Sequence, residues 1–387
     1  MLTLKPVRLL SIILAGALLL AACGGQPPAP APVAAAAPAT AIAPTAAPAE
    51  SRRMEGPTVT PAVAALTATP QLAPTATPDA SPTSDPITGK PGLARGAVKQ
   101  RPIAIMIDNH PDAYPQSGLD QAAVVFEALA EFGVTRFMAV LAPGITPDAP
   151  KIGPVRSTRV YFAEWAMGFH ALYAHAGGSP QGLELVENTD QLINIDALRR
   201  DGGGYFARNS DRDAPHNLYT SSADLAHAAS DRGASDFADP TIGFLFKIDA
   251  PQPERGQSQE LSYFFIYPED DAGWTYDPKT NGYYRLRRGK PARDGETGEQ
   301  LWAKNIVVME VREVKIADDP KGRIEQDVVG TGAAHVFFDG VERTVTWRKD
   351  APEAPLGFFD EAGVEVRFNA GPIWIAAVPS LENLTVD

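Results

Sequence analysis

The placement of proline sets the first limit on what this chain can fold into. Fifteen of its 36 prolines fall between Pro27 and Pro91, interleaved with alanine and threonine. Such a stretch buries too little apolar surface to offset the entropy of ordering it. Residues 24–98 are therefore expected to form a disordered Pro/Ala/Thr-rich tether, its polyproline segments rising about 3.1 Å per residue. Folding is left to residues 99–387, enough chain for two ordinary domains.

The segment ahead of the tether sets the compartment. "MLTLKPVRLLSIILAGALLLAAC" opens on Lys5 and Arg8, continues with an apolar run and closes on small residues. That is the order of a secretory signal, and the run falls short of the roughly 20 apolar residues of a membrane span. Residues 1–23 are read as a signal peptide. Its end, Leu20-Ala21-Ala22-Cys23, resembles the lipobox of bacterial lipoproteins, in which the cysteine is lipidated. Cys23 is the only cysteine, so intramolecular disulfides and multi-cysteine metal sites are excluded. Acyl chains on Cys23 would hold the protein to the membrane at about 0.8 kcal/mol per buried methylene. The expected location is extracytoplasmic, lipid-anchored to the bacterial membrane. A net charge of −13 and a pI near 5.0 argue against a nucleic-acid partner.

Over residues 99–250 strand and helix patterns alternate, which predicts an α/β domain. "RPIAIMIDNH" reads as a buried strand closed by Asp108, Asn109 and His110. "AAVVFEALAEFG" and "VTRFMAVLAPG" read as two strands joined by a turn at Phe132 and Gly133. "RSTRVYFAEWAMGFHA" carries a helical apolar stripe. "ALYAHAGGS" is a strand, and Ser179-Pro180 and Ser222 are helix-start signals. Residues 259–387 show short apolar runs instead, with a hairpin signal at Asp339-Gly340, and predict a β-rich domain.

Several blocks, "RPIAIMIDNHPDAYPQSGL", "VTRFMAV", "IGPVRSTR", "HAGGS" and "APHNLYTS", followed by "TWRKDAPEAPLGFFDEAGVEVRFNAGPIWIAAVP", resemble the YerB-like family of bacterial lipoproteins. The resemblance spans nearly the whole folded part. It implies export, lipidation and two domains of unknown function, and it supplies no catalytic residue.

The residues themselves suggest an anion site. Arg156 and Arg159 follow Gly153-Pro154 at what reads as the mouth of a helix, where free N–H groups and two guanidiniums would seat a carboxylate or phosphate. Ser157 and Arg136 fall near the same rim. Asn109, His110, His175, Ser179, His216 and Asn217 lie at strand ends or in loops, where α/β folds collect ligands. The competing reading pairs these arginines with Glu127, Glu131, Asp108 or Glu164 as staples. A metal on His110, His175 and His216 has no support from spacing, and no cofactor or metal is assigned. No Gly-x-Ser-x-Gly elbow surrounds Ser157 or Ser179, and Asp108, Glu127 and Glu131 offer carboxylates without a visible cleft. The sequence thus leads to an envelope lipoprotein binding an anionic cell-wall ligand. An envelope hydrolase or transferase with a loop histidine as acid or base is the alternative, and the catalytic residues stay unassigned.

Overall fold

The computed structural model describes residues 84–91, 100–237 and 242–387. Cys23, the signal segment and the tether up to residue 83 lie outside the described residues. The last part of the expected tether is packed, however: Ile87 sits in the core, and the Phe244 N–H bonds the Pro86 carbonyl at 2.7 Å.

β1 (Ile103–Asp108) is apolar almost throughout because the sheet it joins is covered on both faces. β2 (Val124–Glu131) and β3 (Val134–Leu141) form the predicted hairpin, turning at Phe132 and Gly133 with φ of 53° and 81°. Positive φ at both turn residues is what a two-residue hairpin demands. α1 (Val160–Met167), β4 (Leu172–His175), α2 (Pro180–Asn188), β5 (Ile193–Asp196) and α3 (Ser222–Asp231) complete the N-terminal part. Ser179 caps α2 as the sequence indicated, its hydroxyl accepting the Gly182 N–H at 3.1 Å. α3 is capped one residue earlier than expected, by Ser221.

The C-terminal region is β-rich. β6 (Glu260–Tyr263), β7 (Ala272–Asp277) and β8 (Gly282–Arg287) form an antiparallel meander. β9 (Asn305–Glu310), β10 (Gly330–Phe338), β11 (Val341–Lys349), β12 (Gly357–Phe359) and β13 (Ile373–Val378) follow, and β14 (Leu384–Val386) returns to the edge of β6. The expected turn between β10 and β11 is present, with Asp339 and Gly340 at φ of 56° and 68°.

The two regions share one sheet. Ten strands run in the order β12-β11-β10-β9-β13-β2-β3-β1-β4-β5. β13, near the end of the chain, lies parallel between β2 and β9 and closes the gap between N-terminal and C-terminal strands. Alternate residues of this sheet enter different cores. Met106, Phe126, Met138 and Ile375 meet Tyr161, Phe162 and Trp165 of α1, whereas Ile105, Phe137 and Trp374 meet Tyr263, Trp274 and Tyr283 of the meander.

Candidate functional site

β1, β4 and β5 are parallel neighbours, so their C-terminal residues, Asp108, His175 and Asp196, line up along one edge of the sheet. That edge is where the sequence placed an anion site. The segment from Val155 to Arg159 crosses it in extended conformation: Ile107 bridges Val155, Thr158 bridges Gly178, and Arg159 is the N-cap of α1 at φ −133° and ψ 160°. The expected helix mouth is therefore an extended strand-like approach. In extended chain, residues three apart project to opposite sides, and the two arginines do diverge.

Arg159 points to Glu131, with which Arg136 also pairs, at 2.5 Å through Nη2. Arg136 donates further to the Ser157 carbonyl at 3.2 Å and Arg159 to the Thr158 carbonyl at 2.6 Å. Both arginine side chains are about 5% exposed. Burial works to raise the Glu131 pKa, but the two guanidiniums outweigh it and hold this carboxyl below its ordinary range. Arg156 turns the other way, its Nε 3.1 Å from Asp108 Oδ2 without the alignment of a hydrogen bond. An anion seat on all three guanidiniums lacks the free charge it requires, since acids of the chain already face them. The cavity beside Arg159 and Ser179, about 350 Å³, is also lined by Glu164, Glu325 and Asp327, a poor environment for a second negative charge.

The other predicted residues separate into two groups. His175 is fully buried, with Nδ1 2.9 Å from the Gly177 carbonyl and Nε2 2.8 Å from Asn194 Oδ1, and burial pushes its pKa down. Asn217 closes its own loop, donating to the carbonyls of Asn209 and Arg212 and accepting from Arg208. Ser157 makes no side-chain hydrogen bond among the described residues. His110 and His216 do come together, ring on ring at 4.6 Å, with His216 Nδ1–H donating to Asp108 at 2.7 Å. Asn109 lines a small cavity of about 130 Å³ that continues toward the meander.

In that direction lies a second, basic feature. Between Tyr114 and β8 lies a cleft of about 360 Å³ lined by Arg285, Arg287, Lys290 and Arg293, together with Gln116, Phe137 and Leu301, and by no carboxylate. Arg285 forms the floor and is neutralised. Its Nη2 lies 2.9 and 3.0 Å from the two oxygens of buried Glu127, and its guanidinium stacks on Trp374 at 4.2 Å. Burial alone would lower its pKa, and Glu127 reverses the sign. Tyr263 and the Trp374 indole also donate to Glu127, each at 3.0 Å. Arg287 lies 3.2 Å from the Tyr114 ring centroid. Neither the Arg287 nor the Lys290 side chain has an ion pair or hydrogen bond among the described residues, and the Arg293 side chain reaches the Gly298 carbonyl, at 2.9 Å. The sequence signal was present as "RLRRGKPAR", five cations and no acid within residues 285–293 of an acidic chain.

Two family models match this chain, the N-terminal domain of a protein family of unknown function, DUF3048, over residues 87–235 and its C-terminal domain over residues 263–375. The Bacillus subtilis (strain 168) protein named "Putative lipoprotein YerB" is 31% identical over 305 residues, spanning 78% of this chain and 88% of its own. The chain belongs to the DUF3048 family. The crystal structure of YerB protein from Bacillus subtilis superposes with a TM-score of 0.69 at 29% identity, covering 79% of this chain and 99% of the other. The DUF3048 domain pair accordingly corresponds to the α/β and β-rich regions, and β13, where the C-terminal match ends, is the strand that pairs with β2 of the N-terminal match. No helix among the described residues is long and apolar enough to cross a membrane.

Proposed function

We infer that this protein is an exported envelope lipoprotein, held to the membrane through Cys23, whose folded part seats an anionic ligand in the cleft between Tyr114 and β8. A phosphate of a wall polymer or a peptide carboxylate is the ligand class that matches. The observation that carries this reading is a cleft lined by four cations and no carboxylate in a chain of net charge −13. Arg285 is neutralised by Glu127, which leaves Arg287, Lys290 and Arg293 to face a ligand. Lysines on edge strands also deter unwanted pairing. That role does not call for a concave wall of guanidiniums beside a tyrosine, whereas recognition of a planar anion does. The name of the Bacillus subtilis relative supports the lipoprotein part.

The test is a calorimetric titration with glycerol-phosphate oligomers and with wall peptides bearing free carboxylates. The Arg287→Ala/Lys290→Ala double variant should bind the preferred ligand at least about tenfold more weakly, or 1.4 kcal/mol, with an unchanged melting temperature. Binding by the wild type should weaken with added salt. Absence of binding to either ligand class, or equal affinity of the variant, contradicts the reading.

A further inference from the structure

The paired histidines lie apart from the basic cleft and point to a second chemistry. Asp108, at the C-terminal end of β1, is buried, and its Oδ2 accepts the Nδ1–H of His216 at 2.7 Å. This contact fixes the ring and leaves Nε2 as the nitrogen free to act as a ligand, the arrangement by which a carboxylate orients a metal-binding histidine. His110 stacks on that ring with an interplanar angle of 19°. His110 Nδ1 lies 3.4 Å from Asp112 Oδ2. Ligands about 2.0–2.2 Å from a tetrahedral zinc ion are about 3.3–3.5 Å apart, so this pair already has chelating separation. One donor atom from each of His110, Asp112 and His216 lies within 4.8 Å of the others.

We propose that His110, Asp112 and His216 bind a divalent transition metal of the zinc type, with Asp108 as the positioning residue behind His216. Two imidazoles and one carboxylate are a borderline donor set suited to Zn²⁺. Binding needs the stacked His110 ring to turn toward the His216 Nε2, and the side chains of His110 and Asp112, 39% and 72% exposed, have room to rotate. Binding costs the 3.2 Å contact from the Asp112 N–H to His110 Nδ1, and that exposed N–H is free to turn to water. Arg156 faces Asp108, and the Arg212 guanidinium donates to the Ala113 and Pro115 carbonyls beside the site. Three protein ligands leave a fourth position for water, as in catalytic rather than structural zinc sites.

Equilibrium dialysis of the metal-stripped protein against Zn²⁺, with Co²⁺ absorption as a spectroscopic readout, tests the proposal. One equivalent should bind, and the visible Co²⁺ bands should have the intensity of a four-coordinate site. His110→Ala and His216→Ala should each abolish stoichiometric binding, and Asp108→Asn should weaken it by about 10–100-fold. His110→Ala alters a half-exposed side chain, so a native melting curve for the apo variant separates a lost ligand from a lost fold. Failure of the wild type to take up one equivalent overturns the site, as does full uptake by both histidine variants. Unchanged affinity in Asp108→Asn overturns the positioning role.

Discussion

Glu131 holds two buried guanidiniums at once, and that fact decides what the arginines of the "GPVRSTR" block do. Removing one partner of a buried ion pair leaves uncompensated charge, typically at a cost of about 3–5 kcal/mol. Glu131 itself is 23% exposed, which tempers the effect. Glu131→Gln should destabilise the protein by about 3 kcal/mol, read from the urea midpoint at neutral pH. Its carboxyl titrates below its ordinary value in the fold. The stabilisation is therefore present above the unfolded-state pKa near 4.5 and is lost as pH falls through the lower folded-state value. The variant should lack this acid-side loss, and a wild type whose stability is flat below pH 5 would count against the assignment. His175 is the contrasting case: the sequence places it at the end of a strand, where it does lie, yet both ring nitrogens are used internally.

Turns and caps were the elements most legible in the sequence, because they depend on a few adjacent residues. Gly340 shows the physical reason: its φ is +68°, and a Cβ there would stand 2.3 Å from the Tyr276 ring. Gly340→Ala should cost more than about 1 kcal/mol, measured as a shift in chemical denaturation. A neutral outcome would mean that the β10–β11 turn relaxes easily. The Phe132-Gly133 turn and the Ser179 cap are legible for the same local reason. At Arg156 and Arg159 the period misleads, since spacing by three suits a helix face only if the segment is helical. Hydrogen bonds to Met106 and Gly177 keep the approach extended instead. The cationic run of residues 285–293 is visible as composition. Its meaning is not, because the cleft exists only when Tyr114 is brought against residues more than 170 positions away.

At the scale of the whole molecule, β13 is the element that no local pattern could place. It inserts between β2 and β9, and Trp374 reaches Glu127 across 247 positions of sequence. Residues 100–250 alone would expose β2 as an edge and leave Glu127 buried without Arg285, Tyr263 or Trp374. This fragment should fail to fold, and the intact folded part should unfold in one calorimetric transition. A soluble fragment with native-like circular dichroism and its own melting transition would show that the two family domains fold independently. The same joining of N-terminal and C-terminal regions builds the basic cleft, from residues 114–137 and 285–301, and the functional account depends on it. The most direct test is a parallel titration of a glycerol-phosphate oligomer into the wild type, Arg287→Ala and Arg156→Ala at low salt. The account predicts at least about tenfold weaker binding for Arg287→Ala and wild-type affinity for Arg156→Ala. Wild-type affinity in Arg287→Ala with a loss in Arg156→Ala would return the anion to the edge beside β1 and contradict it.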